Sequence, residues 1–417
     1  MGLRIEIAEK GEVMAMSRKN FLKMMGLGFL STGAGKGLPQ PAPALDKARA
    51  EAIKLKITGV DIYAFDIPLK EPFKISIGTV YAANDVLVMI QTDAGIVGLG
   101  EACPFAPITG ETQEMNLAAA KGLRETVLGK SPLAIESLVH GFGPFLHSNP
   151  SAVAAFDTAL YDIMGKVAGL PLYRLFGGDK PSFGTDITTD LDEPEKMAAK
   201  AKEFVDRGFD TIKIKVGQGQ EIDLRRLEAI RQAIGYQRKI RIDANQGWTP
   251  PLAIDTLKKM EKFQVEFVEQ PVLASDMAGL KAVHAVSPIP VMADEALFFP
   301  ADAVKLIKAE ACAYLNIKLM KAGGLLNMMK IAHVADAANM LCMVGCMIDS
   351  RLGLTAAAHV VASNRNIVFA DLDGHNSHTV DPVVGGMLFE KGQITVPELP
   401  GIGADVDPAY LKKLRKI

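Results

Sequence analysis

Lys213 and Lys215 stand two residues apart in "DTIKIKVGQG", residues 210–219, inside a segment that otherwise reads as a strand. Residues two apart on a strand share a face, so Ile212, Ile214 and Val216 take one side and both ammonium groups the other. Each lysine raises the cost of charging its neighbour, and what else shares that face decides whether it is a solvated edge or a working site. Further along, apolar segments close in turn on Asp243, Glu269, Asp294, Lys318, and Asp371 with Asp373. The steps from Lys215 to Lys318 are 28, 26, 25 and 24 residues. Asp243, Glu269 and Asp294 are hard oxygen donors in successive units, a set suited to Mg²⁺ with places left for water or substrate. No histidine or cysteine stands among them, which argues against zinc. Lys213 and Lys215 precede this cluster and Lys318 follows it. A nearby cation, partial burial and a like-charged neighbour all lower a lysine's pKa and make a free amine available near neutral pH. A carboxylate substrate with its α-carbon between two such amines would lose a proton on one face and regain it on the other, the metal stabilising the enediolate in between.

The spacing fits one architecture. From about residue 182 short apolar strands alternate with amphipathic helices such as "LRRLEAIRQAIG". Eight strands are expected: "FGTDITTD", "TIKIKVG", "KIRIDANQ", "VEFVEQP", "IPVMADEA", "AYLNIKLM", "LCMVGCMID" and "NIVFADLDG". Eight strand–helix units over about 200 residues argue for a parallel (β/α)8-type barrel, and the C-terminal strand ends of a barrel ring a single mouth. An open doubly wound sheet would more often carry a glycine-rich phosphate turn after its first strand, and none is present.

Composition adds boundaries. The chain carries 46 Lys+Arg against 48 Asp+Glu, a formal charge of -2, and 49% hydrophobic residues. That charge leaves no footprint for nucleic acid or an anionic membrane, and no apolar run reaches the length of a bilayer span. Cys103, Cys312, Cys342 and Cys346 all sit in apolar stretches and read as buried thiols, with Cys342 and Cys346 placed to share a helical face. Residues 1–52 differ from the rest: "SRKNFLKMMGLGFLSTGAGKG" has a basic start, a short apolar middle and small residues after it. It is similar to a twin-arginine export signal with Arg18 matching and Lys19 in the place of the second arginine, so export to the periplasm is expected, with a cytoplasmic N-terminal extension as the alternative.

At these residues the chain resembles the enolase superfamily, specifically its muconate-lactonizing branch, over about residues 54–405. "TIKIKVG" looks like the Lys-x-Lys strand of that family, "RIDANQGW", "VEQP" and "MADE" like its metal-ligand strands, and "LNIKLMKAGG" like its sixth-strand lysine motif. Sites of this superfamily use a Lys or His base with Mg²⁺ stabilising an enediolate. The resemblance implies Mg²⁺ on Asp243, Glu269 and Asp294, Lys215 as base on one face, Lys318 as acid/base on the other, and Lys213 in support of Lys215. It also implies an N-terminal α+β capping domain, residues 53–170, joined by the C-terminal segment 380–417, around a modified TIM barrel at 171–379. "FADLDGH" looks like the Asp-x-Asp pair with which dipeptide epimerases bind a dipeptide's ammonium, here Asp371 and Asp373; a local turn or helix cap is the alternative use.

The specificity loops of such caps match "ISIGTVYA" (75–82), offering Thr79, Val80 and Tyr81, and "CPFAPITGET" (103–112), offering Ile108. No arginine stands in the first loop to receive a glutamate side chain; Lys74 and Arg351 are the other candidate cations. The expectation is a dipeptide epimerase, with Ala-Glu the first candidate substrate and a hydrophobic or small dipeptide the second, assembled as a homo-oligomer. The alternatives are an N-acylamino acid racemase or cycloisomerase of the same superfamily, and a catalytically silent barrel that binds peptides.

Overall fold

A computed structural model describes residues 6–9, 12–15, 54–143, 146 and 148–417. The chain divides into two units, Met1–Glu51 and Ala52–Ile417. In the first, β1 (Glu6–Glu9) and β2 (Glu12–Ala15) pair antiparallel. The signal-like stretch from Ser17 to Ala44 lies outside the described residues. No helix among those described is long and apolar enough to cross a membrane.

The second unit opens with an antiparallel meander, β3 (Ile57–Ile75), β4 (Gly78–Thr92) and β5 (Val97–Ala102). Helices α1 (Ala106–Thr109), α2 (Gln113–Val127), α3 (Ile135–Phe142), α4 (Pro150–Ala168) and α5 (Leu172–Leu175) follow. The C-terminal residues Arg415–Lys416 return to pair with β3. The glycines of "VGLGEA" have a packing reason. A Cβ at Gly100 would lie 1.9 Å from the Ala155 carbonyl oxygen, and one at Gly98 would lie 2.1 Å from that of Ala159. The backbone of α4 therefore rests directly on β5, closer than any side chain allows.

The barrel runs β7 (Ile187–Thr189), α6 (Pro194–Asp206), β8 (Thr211–Lys215), α7 (Gln220–Ile234), β9 (Lys239–Asp243), α8 (Pro250–Met260), β10 (Val265–Glu269), α9 (Met277–Val286), β11 (Val291–Ala293), α10 (Pro300–Ala309), β12 (Tyr314–Lys318), α11 (Leu319–Ala322), α12 (Leu325–Ala337), β13 (Leu341–Gly345), α13 (Arg351–Ser363) and β14 (Ile367–Asp371). Proline begins α4, α6, α8 and α10, a position where its missing N–H would have found no partner in the helix anyway. The eight strands are hydrogen-bonded in chain order from β7 to β14. The ring closes where Asp186 N–H donates to the Ala370 carbonyl at 3.2 Å and Leu372 N–H to Thr185 Oγ1 at 3.1 Å.

Two features depart from the sequence pattern. "FGTDITTD" is two strands: β6 (Ser182–Gly184) leaves to pair antiparallel with Gln393–Thr395, and only Ile187–Thr189 enters the barrel. Between them Asp186 is buried, holding Arg241 Nη1 at 2.8 Å, which ends β6 and starts β7 on different partners. After β14 the chain forms only a 3₁₀ turn, Gly374–Ser377, so seven helical connections serve eight strands. "GHNSHTVDPVVGG" carries Pro382 and the pair Gly385-Gly386, which oppose a continuous helix there.

Period-two alternation sorts the barrel interior into layers. Toward the strand starts lie Phe267, Met292 and Met343 with Tyr314 and Phe369, and the Arg241 guanidinium sits 4.9 Å from the Phe369 ring centroid. Toward the strand ends the same inward positions are Lys213, Lys215, Asp243, Glu269, Asn316, Lys318 and Asp371, all buried. Gly100→Ala should lower unfolding stability by about 2 kcal/mol or more, the cost of forcing a close-packed pair apart. Urea unfolding checks this; an unchanged midpoint would mean that α4 does not rest on β5 as described.

Candidate active site

Lys215, Asp243, Glu269 and Lys318 are the last residues of β8, β9, β10 and β12, and Asp294 follows β11 directly. In a ring of eight, β8 and β12 are four strands apart, so Lys215 and Lys318 face each other across the mouth. The three carboxylates occupy the strands between them on one side. Asp371 ends β14, which is four strands from β10 and so stands opposite Glu269. The mouth thus has two axes, lysine to lysine and metal-type carboxylates to Asp371.

One carboxylate oxygen from each of Asp243, Glu269 and Asp294 lies within 4.8 Å of the others. Lys215 Nζ is 2.6 Å from Asp243 Oδ2, and Lys318 Nζ is 2.9 Å from Asp294 Oδ2. Lys213 Nζ reaches Glu269 Oε2 at 2.8 Å, Asp243 Oδ2 at 3.2 Å and Asp371 Oδ2 at 2.6 Å. Glu269 Oε2 and Asp294 Oδ2 have these ammonium neighbours, yet neither is aligned to accept a hydrogen bond. A buried all-oxygen donor set gathered this closely, with two oxygens that accept no hydrogen bond, fits Mg²⁺. Burial and Asp243 push Glu269 up to about 8. Burial acts against the charge on Asp294 as well, but Lys318 and Lys321 outweigh it and hold that carboxylate low.

Lys318 and Lys213 do not follow the expected direction. Burial lowers Lys318, but Asp294 and Glu269 outweigh it and hold the ammonium well above its ordinary range. Lys213 is likewise raised, its burial outweighed by Asp371, Glu269 and Asp243. The carboxylates acting alone raise both; a divalent cation among them acts in the opposite sense, because it becomes the largest local charge.

Two residues that the strand-end pattern passed over orient the carboxylates. Asn316 Nδ2 donates to Glu269 Oε1 at 2.7 Å, and the buried Lys321 ammonium bonds the carboxylate of Asp294. Both stand in "LNIKLMKAGG", and Asn316 is two before Lys318 on the same inward face, which is the signal that marks it. Gly345 leaves the room they need: a Cβ there would lie 2.8 Å from Asn316 Oδ1 and 3.1 Å from Lys318 Cε.

Asp371 and Asp373 both line the mouth cavity. Burial tends to raise Asp371, but Lys213, Lys318 and Lys215 hold it down to about 2. Asp373 lies beyond the strand and accepts from Thr188 N–H at 2.7 Å across the closure of the ring. Burial and Asp371 push it up to about 6.

The cap covers this mouth with Phe73, Ile75, Phe105 and Ile108, and the Phe73 ring centroid is 5.9 Å from Lys215 Nζ. Thr79, Val80 and Tyr81 are not among the lining residues. "ISIGTVYA" is the tip of the β3–β4 hairpin, in which Phe73 pairs with Val80 and Lys74 with Thr79, and Tyr81 is 74% exposed. Of the hairpin's two strands, the first supplies the residues that line the mouth. Thr188, Asn245, Cys346 and Met347 also line the cavity. Cys342 lies in β13 and Cys346 just after it, so they share no helical face, and all four cysteines are free. Arg351 is committed elsewhere, bonding Asp381 and the carbonyls of Val383, Gly385 and Met387. Lys74 is exposed and lies outside the cavity lining.

Comparison with known proteins agrees with this geometry. Residues 57–177 match the mandelate racemase / muconate lactonizing enzyme N-terminal domain, and residues 196–410 match the enolase C-terminal domain-like family. A hydrophobic dipeptide epimerase of Enterococcus faecalis is 43% identical over 84% of this chain and 99% of its own. The L-Ala-D/L-Glu epimerase of Bacillus subtilis is 41% identical over 86% of this chain and 99% of its own. The structure of a dipeptide epimerase from Cytophaga hutchinsonii, complexed with Mg and the dipeptide D-Ala-L-Val, aligns with a TM-score of 0.86 at 40% identity, covering 87% of this chain and 99% of that one. Matched in cap and barrel alike, and over nearly the whole length of these relatives, the chain belongs to the enolase superfamily, in its mandelate racemase / muconate lactonizing group.

Proposed function

We propose that this protein is a Mg²⁺-dependent dipeptide epimerase that inverts the α-carbon of the C-terminal residue. The observation that carries the reading is the crossing of two axes at the mouth. Lys215 and Lys318 oppose each other on β8 and β12, while the carboxylate cluster opposes Asp371 on β14. A dipeptide is a carboxylate and an ammonium with an α-carbon near the carboxylate end. Laid along the second axis, it brings that carbon between the lysines of the first. Asp243, Glu269 and Asp294 would hold Mg²⁺, which supplies positive charge against the substrate carboxylate as the α-proton leaves.

Lys215 removes or returns a proton on one face and Lys318 does so on the other. Asp371 and Asp373 offer negative charge to the substrate's free amine, which an N-acylated amino acid lacks and which a muconate-type dianion would find repulsive. The apolar cap wall of Phe73, Ile75, Phe105 and Ile108 excludes water from the α-carbon and favours an uncharged side chain on the C-terminal residue. Ala-Glu, the activity for which the Bacillus subtilis relative is named, is the second reading, since none of the cap residues at the mouth carries a cation to receive a glutamate. The stretch from Ser17 to Ala44 supports export of the protein to the periplasm.

Proton NMR of dipeptides in D2O with Mg²⁺ should show loss of the C-terminal α-proton. In Lys215→Ala and in Lys318→Ala, interconversion should fall about a thousandfold, the scale of a lost general base. Each variant should still wash out the proton of one epimer, and the two variants should do so for opposite epimers. Unchanged exchange of both epimers would refute the two-lysine assignment.

The Asp373 carboxyl is neutral below about 6 and charged above it. Ammonium binding is therefore present at higher pH and lost as pH falls through that value. The KM for a dipeptide should rise about tenfold per unit below it, with kcat changing less, and Asp373→Asn should show a high KM that is flat in pH. Steady-state assays between pH 5 and 8 test this; an identical pH profile in that variant would remove Asp373 from substrate binding.

A further inference from the structure

The mouth cavity is small, about 30 Å³, well under the roughly 300 Å³ at which small-molecule pockets begin. A dipeptide's side chains must extend beyond it. A second cavity of about 320 Å³ adjoins it, and Phe73, Thr188, Met347 and Asp373 line both. This groove runs over the closure between β14 and β7, with α6 on one side and the 3₁₀ turn Gly374–Ser377 on the other. It exists because a turn stands where an eighth barrel helix would have packed.

Resting on the dipeptide reading above, we propose that this groove is the subsite for the side chain of the substrate's N-terminal residue, and that it takes an uncharged, branched or aromatic one. The position follows from the amine. If the ammonium sits at Asp371 and Asp373, the adjoining α-carbon lies at the wall that the two cavities share, and the side chain on that carbon has the groove before it. The chemistry follows from the lining. Phe73, Ile187, Phe204 and Ile348 give apolar surface.

The charged residues at the groove balance. Lys200 pairs with Asp190 at 3.5 Å and Arg207 with Glu203 at 3.5 Å, and Lys70 donates to the Asn376 carbonyl at 2.9 Å, with Glu71 the remaining carboxylate besides Asp373. Apart from Asp373, which this reading assigns to the substrate ammonium, three cations stand against three carboxylates and leave no net field to select a charged side chain.

Two variants test the groove, each assayed by α-proton exchange with Leu-Xaa, Lys-Xaa and Ala-Xaa sharing one C-terminal residue. Ser377→Trp fills the groove, and the ratio of kcat/KM for Leu-Xaa over Ala-Xaa should fall at least tenfold. Lys200→Glu replaces one cation of the balanced set by a carboxylate, and the ratio for Lys-Xaa over Leu-Xaa should rise at least tenfold. Circular dichroism confirms that each variant is folded, and Lys200, whose side chain is 38% exposed, tolerates exchange even if Ser377→Trp does not. If the folded variants leave these ratios unmoved while dipeptides still exchange, the groove is not the subsite. If the wild type exchanges no dipeptide but does exchange an N-acylated amino acid, the dipeptide reading itself fails and takes the inference with it.

Discussion

Lys213 is the charge around which the mouth is built. Its ammonium, 1% exposed, contacts carboxylates from β9, β10 and β14 while its own backbone lies in β8. A buried ammonium is costly unless it is paired, and so is each of the three carboxylates, so the four groups are tolerable only together. Removing one member of such a set leaves an uncompensated buried charge, a loss of roughly 3–5 kcal/mol in comparable cases. Lys213 thereby ties the strands that carry metal-type ligands to the strand that carries Asp371. Lys215, two residues on, sits at the rim with a single carboxylate partner and the face of Phe73. The Lys-x-Lys pair divides by depth: the deeper lysine is held among three carboxylates, and the shallower one has a single carboxylate partner at the cavity.

The same logic of depth extends around the ring. Asn316 lies one inward position below Lys318 and fixes Glu269, and Lys321 returns from α11 to fix Asp294. Glu269 and Asp294 are therefore each held through one oxygen, while Glu269 Oε2 and Asp294 Oδ2 accept no hydrogen bond. Such supporting contacts set ligand orientation as surely as the ligands set the metal. Beneath this polar layer, Arg241 bonds Asp186 and Glu266 and lies against aromatic rings, closing the far end of the barrel.

The cap is fastened to the barrel by polar contacts at the mouth rather than by apolar surface alone. Ser76, at the hairpin tip, donates to the carbonyl of Ala244 at 2.9 Å or of Asn245 at 2.8 Å. Asn245 there adopts φ 39°, a left-handed conformation that asparagine tolerates, and it lines the cavity. On the other side Glu101 of β5 accepts from Ser350 N–H at 2.8 Å and from Gly353 N–H at 2.9 Å, joining the cap to the start of α13. These contacts hold Phe73 and Phe105 over the lysines, where exclusion of water strengthens each electrostatic term below.

How much of this was legible in the sequence depends on whether a feature is periodic along the chain. Alternating strands and helices, the ring of charges at their ends and the inward face of Lys213 and Lys215 follow from periods of two residues and of one βα unit, which a linear text preserves. The Mg²⁺-type ligand set follows from those spacings as well, since consecutive barrel strands are neighbours in space. Three things did not follow. The split of "FGTDITTD" turns on a buried contact between Asp186 and Arg241, 55 residues apart. That Phe73 and Ile75 line the mouth while Thr79, Val80 and Tyr81 do not turns on how a long hairpin packs against the barrel. The engagement of Arg351 with the C-terminal segment turns on partners 30 or more residues away. Periodicity places a side chain on a face of its own element; only packing decides what that face meets.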